Sequence, residues 1–163
     1  MNVSLAKAES QSLITTLFQY YVYDMSEYTG WNPNKYGSYA IDAEEIGLND
    51  YWTKPDHHPF LIFFESELAG FVLIRKYPND ESRYDIGQFF VLRRFKRQGI
   101  GAATFNAILD RFPGKWLTRV LTNNAAAQQF WQAVIAKRTE HQFTVTTEYY
   151  FDKPMQFIRY QTV

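Results

Sequence analysis

Phe89-Phe90-Val91-Leu92-Arg93-Arg94-Phe95-Lys96-Arg97-Gln98-Gly99-Ile100-Gly101-Ala102 is the stretch on which the fold turns. Its first four residues form a continuous apolar run, the pattern of a buried strand end. Its last residues open a helical pattern, and a short basic segment lies between. The first N–H groups of a helix have no partner within it, and the helix dipole adds partial positive charge there. Such a turn is an anion cradle suited to phosphate. Gly99 and Gly101 permit a tight turn and close approach of a ligand to the backbone. Lys96 and Arg97 add cationic charge. A dinucleotide fingerprint would need Gly-x-Gly-x-x-Gly, and a P-loop would need Gly-Lys-Ser/Thr; neither is present.

The pattern outward from this turn alternates between element types. Val3 to Lys7 predicts a short strand. Ile14, Leu17, Phe18, Tyr21, Val22 and Met25 form one apolar stripe at helical spacing, with Ser10 as its N-cap and a stop near Tyr28 to Gly30. The segment 31–59 reads as loop with a short helix around Ala43 to Trp52. Phe60 to Phe64 and Ala69 to Arg75 predict an antiparallel hairpin, and Tyr77 to Ser82 a second turn. Tyr84 to Leu92 is then a third strand and Gly99 to Phe112 a helix stopped by Pro113-Gly114. Trp116 to Leu121 is a strand, Asn124 to Lys137 a helix, and 143–151 and 155–160 two closing strands. That order predicts an α/β fold with a mixed, mostly antiparallel sheet flanked by helices, with 1–163 as a single domain.

Bulk composition limits the chemistry. The chain has 163 residues, 46% hydrophobic and 21% charged, which suits a globular core. The 14 Phe, 12 Tyr and 4 Trp suit a thick core and a ring-lined pocket. With 17 basic and 17 acidic side chains there is no global cationic excess for nucleic acid. Absence of cysteine excludes thiolate catalysis and disulfides. No apolar run reaches membrane-spanning length and no signal-peptide pattern opens the chain, so no membrane partner and a cytoplasmic location are expected. Adjacent His57 and His58 point apart on extended backbone and are expected in a solvated loop, with no metal site.

The strand, loop and Gly99-Ile100-Gly101-Ala102 turn resemble the acetyl-CoA signature of the GNAT superfamily of N-acetyltransferases. Asn124-Ala125-Ala126-Ala127-Gln128-Gln129-Phe130-Trp131 resembles the second signature of that family, Asn-x-x-Ala-x-x-Phe-Tyr, and Leu68 to Ile74 its preceding hairpin strand. The resemblance covers roughly residues 60–136. It implies coenzyme A as cofactor, with backbone groups of Phe89, Phe90 and Val91 along the pantetheine arm. Lys96, Arg97, Gln98, Gly99, Ile100, Gly101 and Ala102 would hold the pyrophosphate. Asn124 would contact the arm or cap its helix, and Phe130 would pack beside the cofactor. Lys96 stands where the family usually has Arg or Gln, which keeps a cation but not its planar fork. Trp131 stands where many members carry a tyrosine proposed as general acid, and indole does not titrate usefully.

Acetyl transfer to an amine needs the amine unprotonated and a dipole for the developing oxyanion. No cysteine is available to carry an acyl group, so direct attack is expected. Asp85, in a position resembling that of the family's catalytic glutamate, is the candidate base; Gln88 lies where other members place a glutamate. Tyr21, Asp24, Glu27 and Tyr28, with Trp31 and Trp52, are candidates for an acidic, ring-lined acceptor pocket. Glu148, Tyr149 and Tyr150 are candidates on a late strand. The acceptor is expected to be a small-molecule or peptide amine, and the fold class often forms homodimers through edge strands or helices. Two other readings stand beside this one: a non-catalytic acyl-CoA-binding or sensing module, and a dinucleotide-binding domain.

Overall fold

The computed structural model describes residues 2–163. Strand β1 (Val3–Lys7) leads into helix α1 (Gln11–Thr29), a long irregular segment and a one-turn helix α2 (Asp50–Thr53). Strands β2 (His57–Phe64), β3 (Glu67–Tyr77) and β4 (Asp80–Val91) form a meander. A 3-10 turn at Arg93–Phe95 then precedes α3 (Ile100–Arg111), β5 (Gly114–Leu121), α4 (Ala125–Thr139), β6 (Phe143–Tyr150) and β7 (Lys153–Thr162). The strands form a seven-stranded sheet in the order β1-β2-β3-β4-β5-β7-β6. Only β4 and β5 run parallel; every other neighbouring pair is antiparallel. This is the mixed, helix-flanked α/β sheet that the order of patterns predicts.

Helices cover both faces, which explains the unbroken apolar run Phe71-Val72-Leu73-Ile74. Val72 and Ile74 join a core with Ile100, Phe105, Ile108 and Leu109 of α3 and Ile135 of α4. Phe71 and Leu73 point the other way, into a core with Ile14, Leu17, Phe18 and Val22 of α1 and Tyr51 of α2. All four strand residues have no exposed surface. Burial of a side chain of this size stabilises the fold by about 2 kcal/mol. A third, smaller cluster of Tyr77, Leu117 and Phe157 continues the α1 face toward β7.

Parallel pairing of β4 with β5 is short. It joins Arg83 to Lys115, Tyr84 to Trp116 and Asp85 to Leu117, and then stops. Strand β4 still runs to Val91 and β5 to Leu121, so the two diverge into a wedge. A β-bulge marks the divergence: Leu73 pairs with Gln88 but Ile74 with Ile86, leaving Gly87 as the surplus residue. An extra residue bends its strand and increases the local twist. Gly87 is also the residue that fits there, because a Cβ would lie 2.4 Å from the Tyr51 hydroxyl.

Several local expectations need correction. Only Asp50–Thr53 is helical in the segment read as a helix from Ala43; residues 43–49 form successive turns. Ser10 occupies the N-cap of α1, but its hydroxyl bonds the Ser12 hydroxyl rather than a helix N–H. The turn read across Tyr77 to Ser82 is confined to Pro78 and Asn79. His57 and His58 do point apart, but as the first residues of β2 and not in a solvated loop. His57 packs on Tyr51 with ring centroids 4.9 Å apart, and His58 on Phe112 at 4.7 Å.

Two predictions arise from this packing. Gly70 pairs with Val91, and a Cβ on it would lie 1.9 Å from the Phe90 carbonyl oxygen, a main-chain atom. Gly70→Ala is expected to destabilise the protein by about 3 kcal/mol or more, read from urea unfolding. Burial holds the pKa of His58 below its ordinary 6.5, with Asp56 opposing and His57, Arg111 and Lys7 assisting. The folded state therefore binds fewer protons than the unfolded chain just below pH 6.5, so stability rises as pH rises through this window and is lost as pH falls. The melting temperature should drop on acidification from about pH 7.5 to about pH 5, and His58→Phe should flatten that slope. Asp56, Asp80 and Glu148, whose pKa values are lowered chiefly by side-chain hydrogen bonds, lose their contributions only further down, below the ordinary carboxylate range.

Candidate active site

The wedge between β4 and β5 ends at the start of α3. Arg97 and Gly99 both have positive φ, at 61° and 78°. These two left-handed residues swing the chain out of the 3-10 turn and into the helix. No side chain caps α3. The first helical hydrogen bond is donated by Ala103 to the Gly99 carbonyl, at 3.0 Å. The N–H groups of Ile100, Gly101 and Ala102 have no acceptor among the described residues. Gly101 also lets α4 approach, since a Cβ there would lie 3.0 Å from Cζ of Phe130. Lys96, Arg97, Gln98 and Gly99 are all exposed around this turn. Arg97 makes no ion pair among the described residues, and the Gln98 amide donates to the Arg94 carbonyl at 2.8 Å.

Along the wedge, side chains of β4 alternate between the two cores. Phe89 faces α4, where its ring lies 5.1 Å from that of Trp131. Phe90 faces α1, 5.7 Å from Tyr21. Past Asp85, the main chain of β4 has no strand partner on its β5 side, so Phe89, Phe90 and Val91 present backbone there. Trp131 packs at 5.0 Å from Phe130 and 5.7 Å from Phe105, as a core residue. Asn124 is buried and accepts a hydrogen bond from the Ala127 N–H at 3.0 Å, so it caps α4.

At the apex of the wedge, on the α1 side of the sheet, lies a cluster with no single sequence signature. Asp85 is fully buried between two guanidinium groups. Arg75 Nε donates to its Oδ2 at 3.0 Å, and Arg119 donates from Nη2 to Oδ2 at 3.0 Å and from Nε to Oδ1 at 3.3 Å. Arg75 also donates to the Tyr150 hydroxyl at 3.3 Å, and the Tyr150 ring lies 4.0 Å from the Arg119 guanidinium carbon. Burial pulls the pKa of Arg75 down, but Asp85 and the neighbouring tyrosines outweigh it and raise it. Burial pushes Tyr21 up to about 12, with Arg119 acting the other way. Tyr51 is raised by the same cause.

These contacts revise the roles expected of the residues here. A base needs a lone pair facing its substrate, and both carboxylate oxygens of Asp85 are engaged and sealed from solvent. Asp85 is an ion-pair anchor in this geometry. Arg75 and Arg119 were not legible as site residues. Arg75 is the cross-strand partner of Asp85, so hairpin register alone could have suggested that pair; nothing in the sequence joins Arg119 to it.

The acceptor-side candidates divide. Asp24 turns toward the loop before α3, where it meets Lys96 Nζ at 2.6 Å and Arg93 Nη2 at 3.1 Å, and it lines the same open cavity as Glu27. Glu27 lines an open cavity of about 620 Å³ with Tyr23, Trp31, Tyr39 and Arg93. Tyr28 binds through its carbonyl, which accepts from Asn123 at 2.9 Å and ties α1 to the turn before α4. Tyr21 inserts its ring among Phe18, Phe71 and Phe90. Trp52 donates its indole N–H to the Ala8 carbonyl at 2.8 Å and serves to dock α2. Glu148 is held by Arg159 at 2.6 Å in a separate cavity of about 410 Å³ with Tyr149, while Tyr150 joins the apex cluster.

The family model for the acetyltransferase (GNAT) family matches residues 20–134. No curated protein matches the chain in sequence. Among solved structures, an acetyltransferase from Thermus thermophilus superposes with a TM-score of 0.70 at 14% identity, over 99% of this chain and 97% of that one. Spermidine N-acetyltransferase from Vibrio cholerae, in complex with CoA and spermine, gives 0.68 at 14% identity over 98% and 95%. An aminoglycoside acetyltransferase in complex with coenzyme A gives 0.69 at 14% identity over 98% and 95%. At that identity the superpositions speak for the fold alone. With the family model spanning most of the chain, the protein belongs to the acetyltransferase (GNAT) family and is an acetyl-CoA-dependent acyltransferase.

Proposed function

We propose that this chain moves the acetyl group of acetyl-CoA to a primary amine of a small molecule or peptide by direct attack, with 1–163 acting as one N-acetyltransferase domain. The observation that carries the reading is the wedge: an unpaired strand edge on β4 leads to a helix start with unpaired N–H groups. A diphosphate fits the latter and an extended amide-bearing arm the former. Acetyl-CoA, when bound, supplies an acyl group activated as a thioester. Ile100, Gly101 and Ala102 would hold the diphosphate by main-chain N–H groups, with Lys96 and Arg97 beside it. Phe89, Phe90 and Val91 would hold the arm by main-chain pairing. A free N–H on the same edge would stabilise oxyanion charge at the reacting carbonyl.

Proton removal is the remaining requirement. Asp85 is sealed, and the phenols of Tyr21 and Tyr51 ionise far above neutrality. With these groups unable to act as bases near neutral pH, the acceptor would release its proton to water, and water would return a proton to the thiolate that leaves as the amide bond forms and the thioester bond breaks. Structural relatives named for the acetylation of spermidine and of aminoglycosides agree with an amine acceptor. Among the described residues no helix is long and apolar enough to cross a membrane.

A thermal-shift comparison tests the cofactor: CoA and acetyl-CoA should raise the melting temperature, and NAD should not. Gly101→Asp places a carboxylate at the helix start and should abolish CoA binding in calorimetry while the circular dichroism spectrum persists. Unchanged affinity in the folded variant would refute the phosphate site. Asp85→Asn removes the counter-charge of two guanidinium groups and should destabilise the protein by about 3 kcal/mol, read from denaturant unfolding. Full stability together with an altered pH–rate profile would instead restore Asp85 as a base.

A further inference from the structure

Charge at the apex of the wedge does not balance. Arg75 and Arg119 bring two positive charges and Asp85 one negative charge, so the cluster carries a surplus of one positive charge. The side chains of Arg75 and Arg119 are only 14% and 7% exposed. Buried charges are normally paired, because removing an unpaired ion from water is costly. The nearby carboxylates on the same face are already committed: Glu148 to Arg159 at 2.6 Å, and Asp80 to Arg83 at 3.1 Å. Tyr150 and Tyr77 offer ring faces to Arg119, at 4.0 Å and 5.5 Å, but no negative charge.

Each guanidinium also keeps a free donor group. Arg75 binds through Nε and Nη2, and Arg119 through Nε and Nη2; neither Nη1 has a hydrogen-bond partner among the described residues. Among those residues the only sealed side-chain polar atom without a partner is Thr104 Oγ1. Both Nη1 groups therefore touch solvent-accessible space. They lie on the α1 face, where β4 leaves β5, opposite the face on which Trp131 and Phe130 pack.

Resting on the acetyl-transfer reading above, we infer that the acceptor amine carries a carboxylate, and that Arg75 and Arg119 bind it at the apex of the wedge. An amino-acid-like acceptor supplies the missing negative charge, and a planar carboxylate matches the donor geometry of guanidinium groups. Until an acceptor carboxylate binds, the apex keeps its surplus of one positive charge. The same surplus disfavours polycations, which separates this acceptor class from the spermine and aminoglycosides of the structural relatives.

The test uses matched amines that differ only in the carboxylate: lysine and cadaverine, arginine and agmatine, phenylalanine and phenethylamine. Binding is read apart from turnover, by titrating the CoA-loaded full chain with N-acetylphenylalanine and with N-acetylphenethylamine. In the native chain the carboxylated member should bind about tenfold more tightly and show about tenfold higher kcat/KM, mainly through KM. Arg119→Gln should erase that ratio with CoA affinity unchanged. Arg119→Lys, which keeps the charge beside Asp85, should retain part of it if the glutamine variant does not fold. Equal or reversed preference in the native chain overturns the inference while leaving acetyl transfer intact, as does failure of both members to bind at about 10 mM. Failure of CoA itself to bind would overturn the acetyl-transfer reading and this inference together.

Discussion

Separation of β4 from β5 beyond the Asp85–Leu117 rung is the constraint on which the rest of the site depends. A continuous parallel ladder would leave no free edge and no opening between the strands. The bulge at Gly87 bends β4 there, and the Tyr51 hydroxyl occupies the space that a side chain would take. Packing on both sides keeps the strands apart: Phe89 and Trp131 on the α4 face, Phe90 and Tyr21 on the α1 face. The wedge is thus a consequence of core packing.

Electrostatics divides the wedge into two ends of different character. At the helix end, main-chain N–H groups and exposed cations suit a diphosphate, and Asp24 reaches over from α1 to hold Lys96 and Arg93. A diphosphate bound there would compete with that carboxylate for the same cations. At the apex, the charges are buried and locked by geometry, where each interaction is less screened by water and salt. The end of the intervening strand edge, Phe89 to Val91, is apolar in its side chains and polar through its backbone, which suits an extended arm of amides.

Much of this was legible in the sequence, for physical reasons specific to each element. The run Phe89 to Leu92 followed by Gly99-Ile100-Gly101 marks a strand-to-helix turn because glycine takes the left-handed conformation at residue 99 without strain, and because helix starts need partners for their N–H groups. The stripes of α1, α3 and α4 were readable because each buries one face. Helix α2 was misread, because the turns at 43–49 carry apolar residues at spacings that mimic a helix. Asp85 was placed on the correct strand but given the wrong environment, since no local pattern reveals that a carboxylate will meet a guanidinium from a strand thirty-four residues later.

What the sequence determined by itself is therefore what depends on neighbours along the chain: strand and helix order, the glycine-containing turn that opens α3, and the family. Only the tertiary structure decided which side chains meet across strands. Arg75, Asp85 and Arg119 converge because β3, β4 and β5 align in one register, and register is set by the whole sheet. It also turned Asp24 onto Lys96 and Arg93, gathered Asp24 and Glu27 with Tyr23 and Trp31 around one open cavity, and left the apex with a surplus of positive charge. Charge balance in a buried site is a sum over groups from distant segments, and a linear reading has no access to that sum.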